Sequence, residues 1–360
     1  MVTEQMRTST RDLDELRERA SRWLRGRVGG DATVSELSRP SGNGMSSETL
    51  FFTATWDGAG RRCVARLAPA REAVPVFPSY DLRAQFEVMR LAREKAGIPA
   101  PRPLWFEPDP GPLGTPFFVM ERAEGEVPPD VMPYTFGGWL HDAAPGDRRR
   151  LQDASVGLVA ALHETPFTAE DVGVLGPVVP GGADGLRAHV EAQRAYYRWA
   201  HGERPIPVLE RAFDWLDSHW PDAPGPDVLT WGDARIGNVM YQDFRPVAVL
   251  DWEMAAVGPR ELDVSWMIFL HRFFQDLAVT LGVPGMPDFM RRDDVCQKYR
   301  EITGYEPRDM DFYEMYAALR HGIIMARVWQ RRIHFGEQPM PDDPDDLVLH
   351  RAAIEELLTR

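Results

Sequence analysis

The amino-acid sequence predicts an α+β protein of two lobes, a small β-rich N-terminal lobe and a larger, mainly helical C-terminal one. Three observations carry this expectation. At 360 residues the chain is about twice the common size of a single domain. Its first third alternates short apolar runs with one helical stretch, whereas beyond Gly125 the apolar residues recur mostly at helical spacing. Within that helical part a single β-rich interruption, VLTWGDARIGNVMYQDFRPVAVLDWEMA, occupies residues 228–255. The lobe boundary is placed at 1–121 and 122–360.

In chain order, Leu13, Leu16, Ala20, Trp23 and Leu24 recur at helical spacing among charged residues, which predicts an amphipathic helix lying on the first lobe. ETLFFTATW and RCVARL flank DGAG, a hairpin signature with a glycine-containing turn. Helical spacing returns over residues 81–95, and IPAPRP ends that helix because proline cannot continue it. LWFEP and PFFVMER around DPGPLGT predict a second hairpin. Further helices are predicted near 147–163, 183–200, 206–219, 263–281, 311–333 and 345–359. The 31 prolines are scattered at element ends and form no linker.

Composition narrows the function. With 44% hydrophobic and 27% charged residues the chain has the make-up of a folded globule. The balance of 41 basic against 55 acidic residues, net charge −14, repels a phosphate backbone and argues against a nucleic-acid partner. Cys63 and Cys296 are too few for a disulfide framework or a cysteine-built metal site, as expected of a reducing compartment. The first residues lack the apolar core of a signal peptide, and no stretch approaches the roughly 20 apolar residues that span a bilayer. A cytoplasmic protein without a membrane partner is therefore expected; oligomeric state stays open.

Chemistry concentrates in the interruption. A hairpin of NVMY and VAVL turns at QDFRP, so Asn238 entering the first strand and Asp251 leaving the second lie together at the other end. Asp233, five residues before Asn238, sits in the loop feeding that end. Mg2+ prefers hard oxygen ligands and is usually held by one or two protein groups plus substrate phosphates. In the phosphoryl-transfer division of labour, Asp233 is the base that receives a hydroxyl proton, and Asn238 and Asp251 hold the metal. No H-E-x-x-H, paired-cysteine or G-x-S-x-G motif competes. His163 and His271 fall in apolar helical patterns and read as packed core histidines. The aromatic and Met residues of WMIFLHRFF and MYAALRHGIIM read first as core stripes, of which some line an acceptor pocket.

WGDARIGN followed by VLDWEMAAVGPRELD resembles the aminoglycoside phosphotransferase and choline kinase group, in which H-G-D-x-x-x-x-N precedes a hydrophobic-D-W/F-E segment. LHET at 162–165, PFFVMERAEG at 116–125 and the early strand-rich region extend the likeness over most of the chain. It is nearest to bacterial phosphotransferases that also resemble the kinase-like domain of certain acyl-CoA dehydrogenase fusions. The resemblance implies a bilobal protein-kinase-like fold, ATP and Mg2+ as cofactors, and a small-molecule hydroxyl as phosphate acceptor. It implies that Gly42 and Gly44 cover the phosphates, although a plain glycine turn is the other reading. Arg66 stands at the phosphate-binding lysine position, or is a surface arginine of its strand, and Gln85 stands at the position of the partner glutamate. Backbone groups of Glu121 and Arg122 or nearby would hold adenine at the hinge. Trp231 replaces the usual histidine, and Arg235 is placed to steady the transferring phosphate or is a solvated loop arginine. Asp263 is expected to cap its helix, and Glu253 to support the metal ligands.

Two readings follow. One is a small-molecule kinase, its acceptor either an aminoglycoside or a hydroxyacyl-type metabolite. The other is a nucleotide-binding regulatory module with little or no catalysis, favoured by Arg66 and Gln85. The DDPDD run at 342–346 is expected to be a solvated turn before the last helix.

Overall fold

The computed structural model describes residues 11–40, 47–69 and 74–360, which fall into two compact units. The first comprises residues up to Arg90 together with Pro101–Ala123, and the second Leu91–Ala100 together with Glu124–Arg360.

In the first unit a five-stranded antiparallel sheet has the order β1-β2-β3-β5-β4, built from β1 (Thr33–Val34), β2 (Glu48–Trp56), β3 (Ala59–Leu67), β4 (Pro103–Glu107) and β5 (Phe117–Glu121). Asp57 and Gly58, both at positive φ, form the two-residue turn between β2 and β3. This is the Asp-Gly turn whose twist matches that of the paired strands. Strand alternation then sorts the aromatics to two faces. Phe117 meets Trp23 of α1 (Leu13–Val28) edge-on at 4.9 Å, whereas Phe118 meets Phe86 of α2 (Leu82–Glu94) at 6.1 Å. Asp12 caps α1, accepting the Asp14 and Glu15 amides, and Leu16, Ala20 and Leu24 bury its apolar stripe with Leu50, Ala65 and Val119.

The second unit is mainly helical: α3 (Pro145–Glu164), α4 (Ala169–Val172), α5 (Gly185–His201), α6 (Pro207–Ser218), α7 (Glu261–Thr280), α8 (Arg292–Thr303), α9 (Met310–His334) and α10 (Arg351–Leu357). The long α9 packs against α5, α6, α7 and α10 and is buried along most of its length. α8 was not anticipated from the sequence. Its RDDVCQKYREIT carries only Val295 and Tyr299 to the interior, too few apolar residues for a periodic signal. The last helix begins at Arg351 because Pro344–Leu347 forms a 3-10 turn, in which buried Asp345 accepts the Val208 amide at 2.8 Å. The acidic run is therefore in part a buried tie, not wholly a solvated turn. Four strands complete this unit: β6 (Asp227–Thr230), β7 (Val239–Gln242), β8 (Arg245–Val249) and β9 (Ala256–Pro259). No helix among the described residues is long and apolar enough to cross a membrane.

Leu24 is 1% exposed, so Leu24→Ala should cost about 2–5 kcal/mol, read as a lowered urea midpoint. Acid should also weaken the fold. Burial, partly offset by a hydrogen bond to Met286 or Ala318 oxygen, holds the imidazoles of His271 and His350 down at about 4, against an ordinary 6.5. Between those values the unfolded chain binds more protons than the folded one. Stability should accordingly fall as pH drops from 6.5 towards 4, measured as the denaturation midpoint across that window.

Candidate active site

Two short antiparallel ladders position the site. β6 pairs with β9, from Asp227 opposite Pro259 to Thr230 opposite Ala256, and β7 pairs with β8, from Val239 opposite Val249 to Gln242 opposite Arg245. Asp243 and Phe244, both at positive φ, turn the β7–β8 hairpin. The loops 231–238 and 250–255 each leave one ladder and enter the other, so both are held at both ends. The β6–β9 ladder was missed by sequence reading because AVGP carries the glycine and proline of a turn and its partner DVLT lies far from it in the chain.

The two loops touch along their backbones. Gly232 has φ +86°, and a Cβ there would lie 1.9 Å from the Met254 carbonyl oxygen. Trp231, 2% exposed, donates its indole N–H to the carbonyl oxygens of Leu250 (3.0 Å) and Asp251 (2.9 Å). The Leu250 amide donates to Asn238 O at 2.8 Å, which brings Asp251, at φ +55°, immediately after the last contact opposite Asn238. Tryptophan at the histidine position thus ties the two loops together besides filling space.

Asp263 was expected to cap α7. It instead lies inside the first turn, with Arg260 at the N-cap, and its fully buried carboxylate accepts the Trp231 amide (2.7 Å) and the Gly232 amide (2.8 Å). His163 Nε2 approaches the same carboxylate at 3.1 Å, and its Nδ1 meets the Tyr299 hydroxyl at 2.8 Å. His163 is a buried histidine, as expected, with a defined task. A buried carboxylate needs such donors, and the loop supplies two of them.

The Asp233 carboxylate is held from two sides. Oδ1 accepts Trp266 Nε1 at 2.6 Å, and Oδ2 accepts Asn238 Nδ2 at 2.5 Å and Arg235 Nε at 3.3 Å. Asn238 Nδ2 also donates to Asp233 O at 3.2 Å, so its amide nitrogen is committed to Asp233 while Oδ1 has no donor among the described residues. Arg235 Nη1 donates to Asp130 Oδ2 at 2.6 Å. Burial alone would lower the guanidinium pKa, yet Asp233 and Asp130 outweigh it and raise the value above its ordinary one. Gly237 leaves room for this pair, since a Cβ would fall 2.2 Å from Arg235 Nη1 and 2.7 Å from Asp130 Oδ1. Arg320, 1% exposed, donates Nη2 to Gly232 O at 3.0 Å and lays its guanidinium over the Trp266 ring at 4.4 Å.

Asp233, Arg235, Asn238 and the backbone of Asp251 are thus brought together within the second unit. Asp130, Trp266 and Arg320 belong to the same cluster and were not picked out from sequence. The spacing of Asp263 and Trp266 on one face of α7, three residues apart, was the available signal. In the first unit Arg66 lies on β3 opposite Thr49 and Phe118, with Nη1 3.4 Å from Thr49 Oγ1. Gln85 is buried on α2 and makes no hydrogen bond to Arg66 among the described residues. The Glu121 amide donates to Arg102 O and the Arg122 amide to Arg62 O, both at 2.9 Å. Neither N–H is left for a base; the first one beyond the sheet is that of Ala123. Gly42 and Gly44 lie outside the described residues.

A profile of the phosphotransferase enzyme family, APH, matches residues 39–287. The chain belongs to this family. Among solved structures, the fold is similar to a putative aminoglycoside phosphotransferase from Ralstonia eutropha, with TM-score 0.66, 22% identity, and 95% of this chain and 96% of that one covered. It is also similar to a thermostable mutant of aminoglycoside phosphotransferase APH(4)-Ia in ternary complex with ADP and hygromycin B, with TM-score 0.55, 17% identity, and 94% and 97% covered. Both likenesses show the kinase-like fold. Acyl-CoA dehydrogenase family member 10 of Mus musculus is 26% identical over 325 residues, which are 87% of this chain and 28% of that protein. The probable acyl-CoA dehydrogenase IBR3 of Arabidopsis thaliana is 24% identical over 318 residues, 81% of this chain and 36% of that one. This phosphotransferase-family chain spans about a third or less of the length of those two relatives.

Gly232→Ala should cost about 3 kcal/mol or more, because positive φ and collision with Met254 act together. A lowered melting temperature, with loss of whatever nucleotide binding the wild type shows, is the expected result.

Proposed function

We propose that this chain is an ATP-dependent O-phosphotransferase that moves the γ-phosphoryl group of ATP to a hydroxyl of a small molecule. The observation that carries the reading is the Asp233 carboxylate, oriented by Trp266 Nε1 on one oxygen and Asn238 Nδ2 on the other. Family membership supports phosphoryl transfer, and the ADP in the APH(4)-Ia complex supports an adenine nucleotide as donor.

Asp233 receives the acceptor hydroxyl on a carboxylate whose rotamer two N–H donors have already chosen, and takes its proton as the oxygen attacks phosphorus. Arg235 presents a permanent positive charge beside that carboxylate for the transferring group, once its Asp130 contact is exchanged for phosphate oxygen. Asn238 Oδ1 and the Asp251 carboxylate are hard oxygen donors of the kind Mg2+ takes, and the two residues leave one strand pair side by side. When bound there, the ion offsets charge on the phosphate oxygens. Among first-unit groups, Arg66 remains the candidate phosphate contact, and the Ala123 amide takes over from Glu121 and Arg122 as donor to adenine.

For the acceptor we favour an amphipathic, hydroxyacyl-type molecule over an aminoglycoside. A narrow cleft beside Arg235, with only about 10 Å3 of room, is walled by Tyr134, Met267, Leu270, Phe274 and Met290, apolar side chains that offer a cationic sugar no partner. The acidic run that would attract a cationic sugar is partly spent, with Asp343 on Arg351 and Asp345 on the Val208 amide.

Purified protein with Mg-ATP, screened against hydroxylated acyl compounds, aminoglycosides and macrolides, should release ADP fastest with the first class. Asp233→Asn should lower kcat by about 10²- to 10⁴-fold with ATP binding retained. Trp266→Phe, which keeps an aromatic side chain but removes the N–H and part of the ring system, should lower it about 10²-fold, with a lowered melting temperature but a folded chain. Calorimetry of Asp251→Ala should show loss of Mg2+-dependent ATP binding. ATP binding with no acceptor-stimulated ADP release, and no effect of Asp233→Asn, would favour the regulatory module instead.

A further inference from the structure

Two buried histidines on the C-terminal side of the second unit are not used by the reading above. His321 on α9 is 7% exposed and His350, just before α10, is 5% exposed. Their Nδ1 atoms face each other at 3.3 Å, and His350 Nε2 lies 2.8 Å from Ala318 O. A carbonyl oxygen only accepts, so His350 Nε2 carries the proton. Burial keeps both rings neutral, so His350 Nδ1 is a bare lone pair and His321 Nδ1 must be the donor to it. The chain of hydrogen bonds therefore ends on His321 Nε2, an unprotonated acceptor that has no partner among the described residues. Among the described residues no carboxylate contacts either ring, so none of them favours protonating it.

Its surroundings connect it to the phosphotransfer residues. The His321 ring packs against Phe273 at 4.5 Å, Phe269 at 5.8 Å and Trp266 at 6.2 Å. Trp266 is the residue whose indole N–H holds Asp233, and the Arg235 guanidinium is near enough to act on His321 electrostatically. His321 is also the immediate neighbour of Arg320, which holds Gly232 O.

We propose that His321 Nε2 is a binding group for the phosphate acceptor, taking a hydrogen bond from a second O–H or N–H of the molecule whose first hydroxyl is held at Asp233. The inference rests on the phosphotransferase reading and narrows its substrate class. A lone pair in an aromatic wall rewards a neutral donor and repels a carboxylate, and leaving it unpaired once a bound molecule covers it is costly. Acceptors with a single hydroxyl and no other donor are therefore discriminated against. His350 is a positioning residue, since it acts only by fixing the tautomer.

Diethyl pyrocarbonate, which acylates unprotonated imidazole nitrogen, tests this on the full chain without any need for turnover. Peptide mass spectrometry at neutral pH should find His321 modified and His350 spared, with exposed His219 as internal standard. Butane-1,3-diol should slow the reaction of His321 several-fold relative to His219, and 1-butanol should not. An unmodified His321 beside a modified His219, or equal rates in the two alcohols, overturns the proposal. With acceptors that stimulate ADP release, His321→Phe should raise KM about tenfold, the value of one hydrogen bond, with a smaller change in kcat. His321→Gln, whose amide oxygen can replace Nε2, should recover most of that KM, whereas equal KM for the two variants overturns the assignment. Labelling as expected with no ADP release from any acceptor would sink the phosphotransfer reading and leave the His321 site standing.

Discussion

The Asp263 carboxylate, fully buried in the first turn of α7, accepts the amides of Trp231 and Gly232, and the conformation of the loop that carries Asp233 depends on it. A charge without solvent must be surrounded by donors, and here the donors are the loop's own backbone and His163. That arrangement draws Gly232 into positive φ against the Met254 carbonyl, which only a residue without Cβ tolerates. Trp231 then reaches across to the Leu250 and Asp251 carbonyl oxygens, so one carboxylate sets the position of both loops.

Around this anchor the polar groups form a continuous chain. Arg320 joins the Gly232 carbonyl to the face of Trp266, Trp266 joins Arg320 to Asp233, and Asp233 joins Asn238 to Arg235 and thence to Asp130. A buried guanidinium is tolerable because Asp263 and Asp233 both lie within its field, which offsets part of the burial that draws its pKa down. The outcome is a carboxylate whose two oxygens face chosen directions before any ligand arrives, which is what positioning catalysis requires.

Much of this was legible in the sequence because it is local. The DG turn, the two hairpins, the amphipathic α1 and the Asp233, Asn238 and Asp251 spacing each depend on residues within one or two elements of one another. What escaped was either weakly marked or distant. β6 and β9 lie 25 residues apart in the chain, between Thr230 and Ala256, and AVGP carries turn residues. α8 has a weak apolar stripe. Asp263 carried the ordinary signature of a first-turn acid, which is why a helix cap was expected. Its true partners are more than 30 residues upstream.

By itself the sequence determined the α+β organisation, the expectation that Asp233, Asn238 and Asp251 meet at one end of a hairpin, and the phosphotransferase resemblance, since period, turn chemistry and motif spacing are properties of the linear chain. Only the tertiary structure decided which groups hold Asp233. It also decided that the Glu121 and Arg122 amides are consumed by the sheet and that His321 ends a hydrogen-bond chain as a bare acceptor. The physical reason is that donors and acceptors are satisfied pairwise in space. A residue's type states what it can offer, and only its folded neighbours determine what remains unspent.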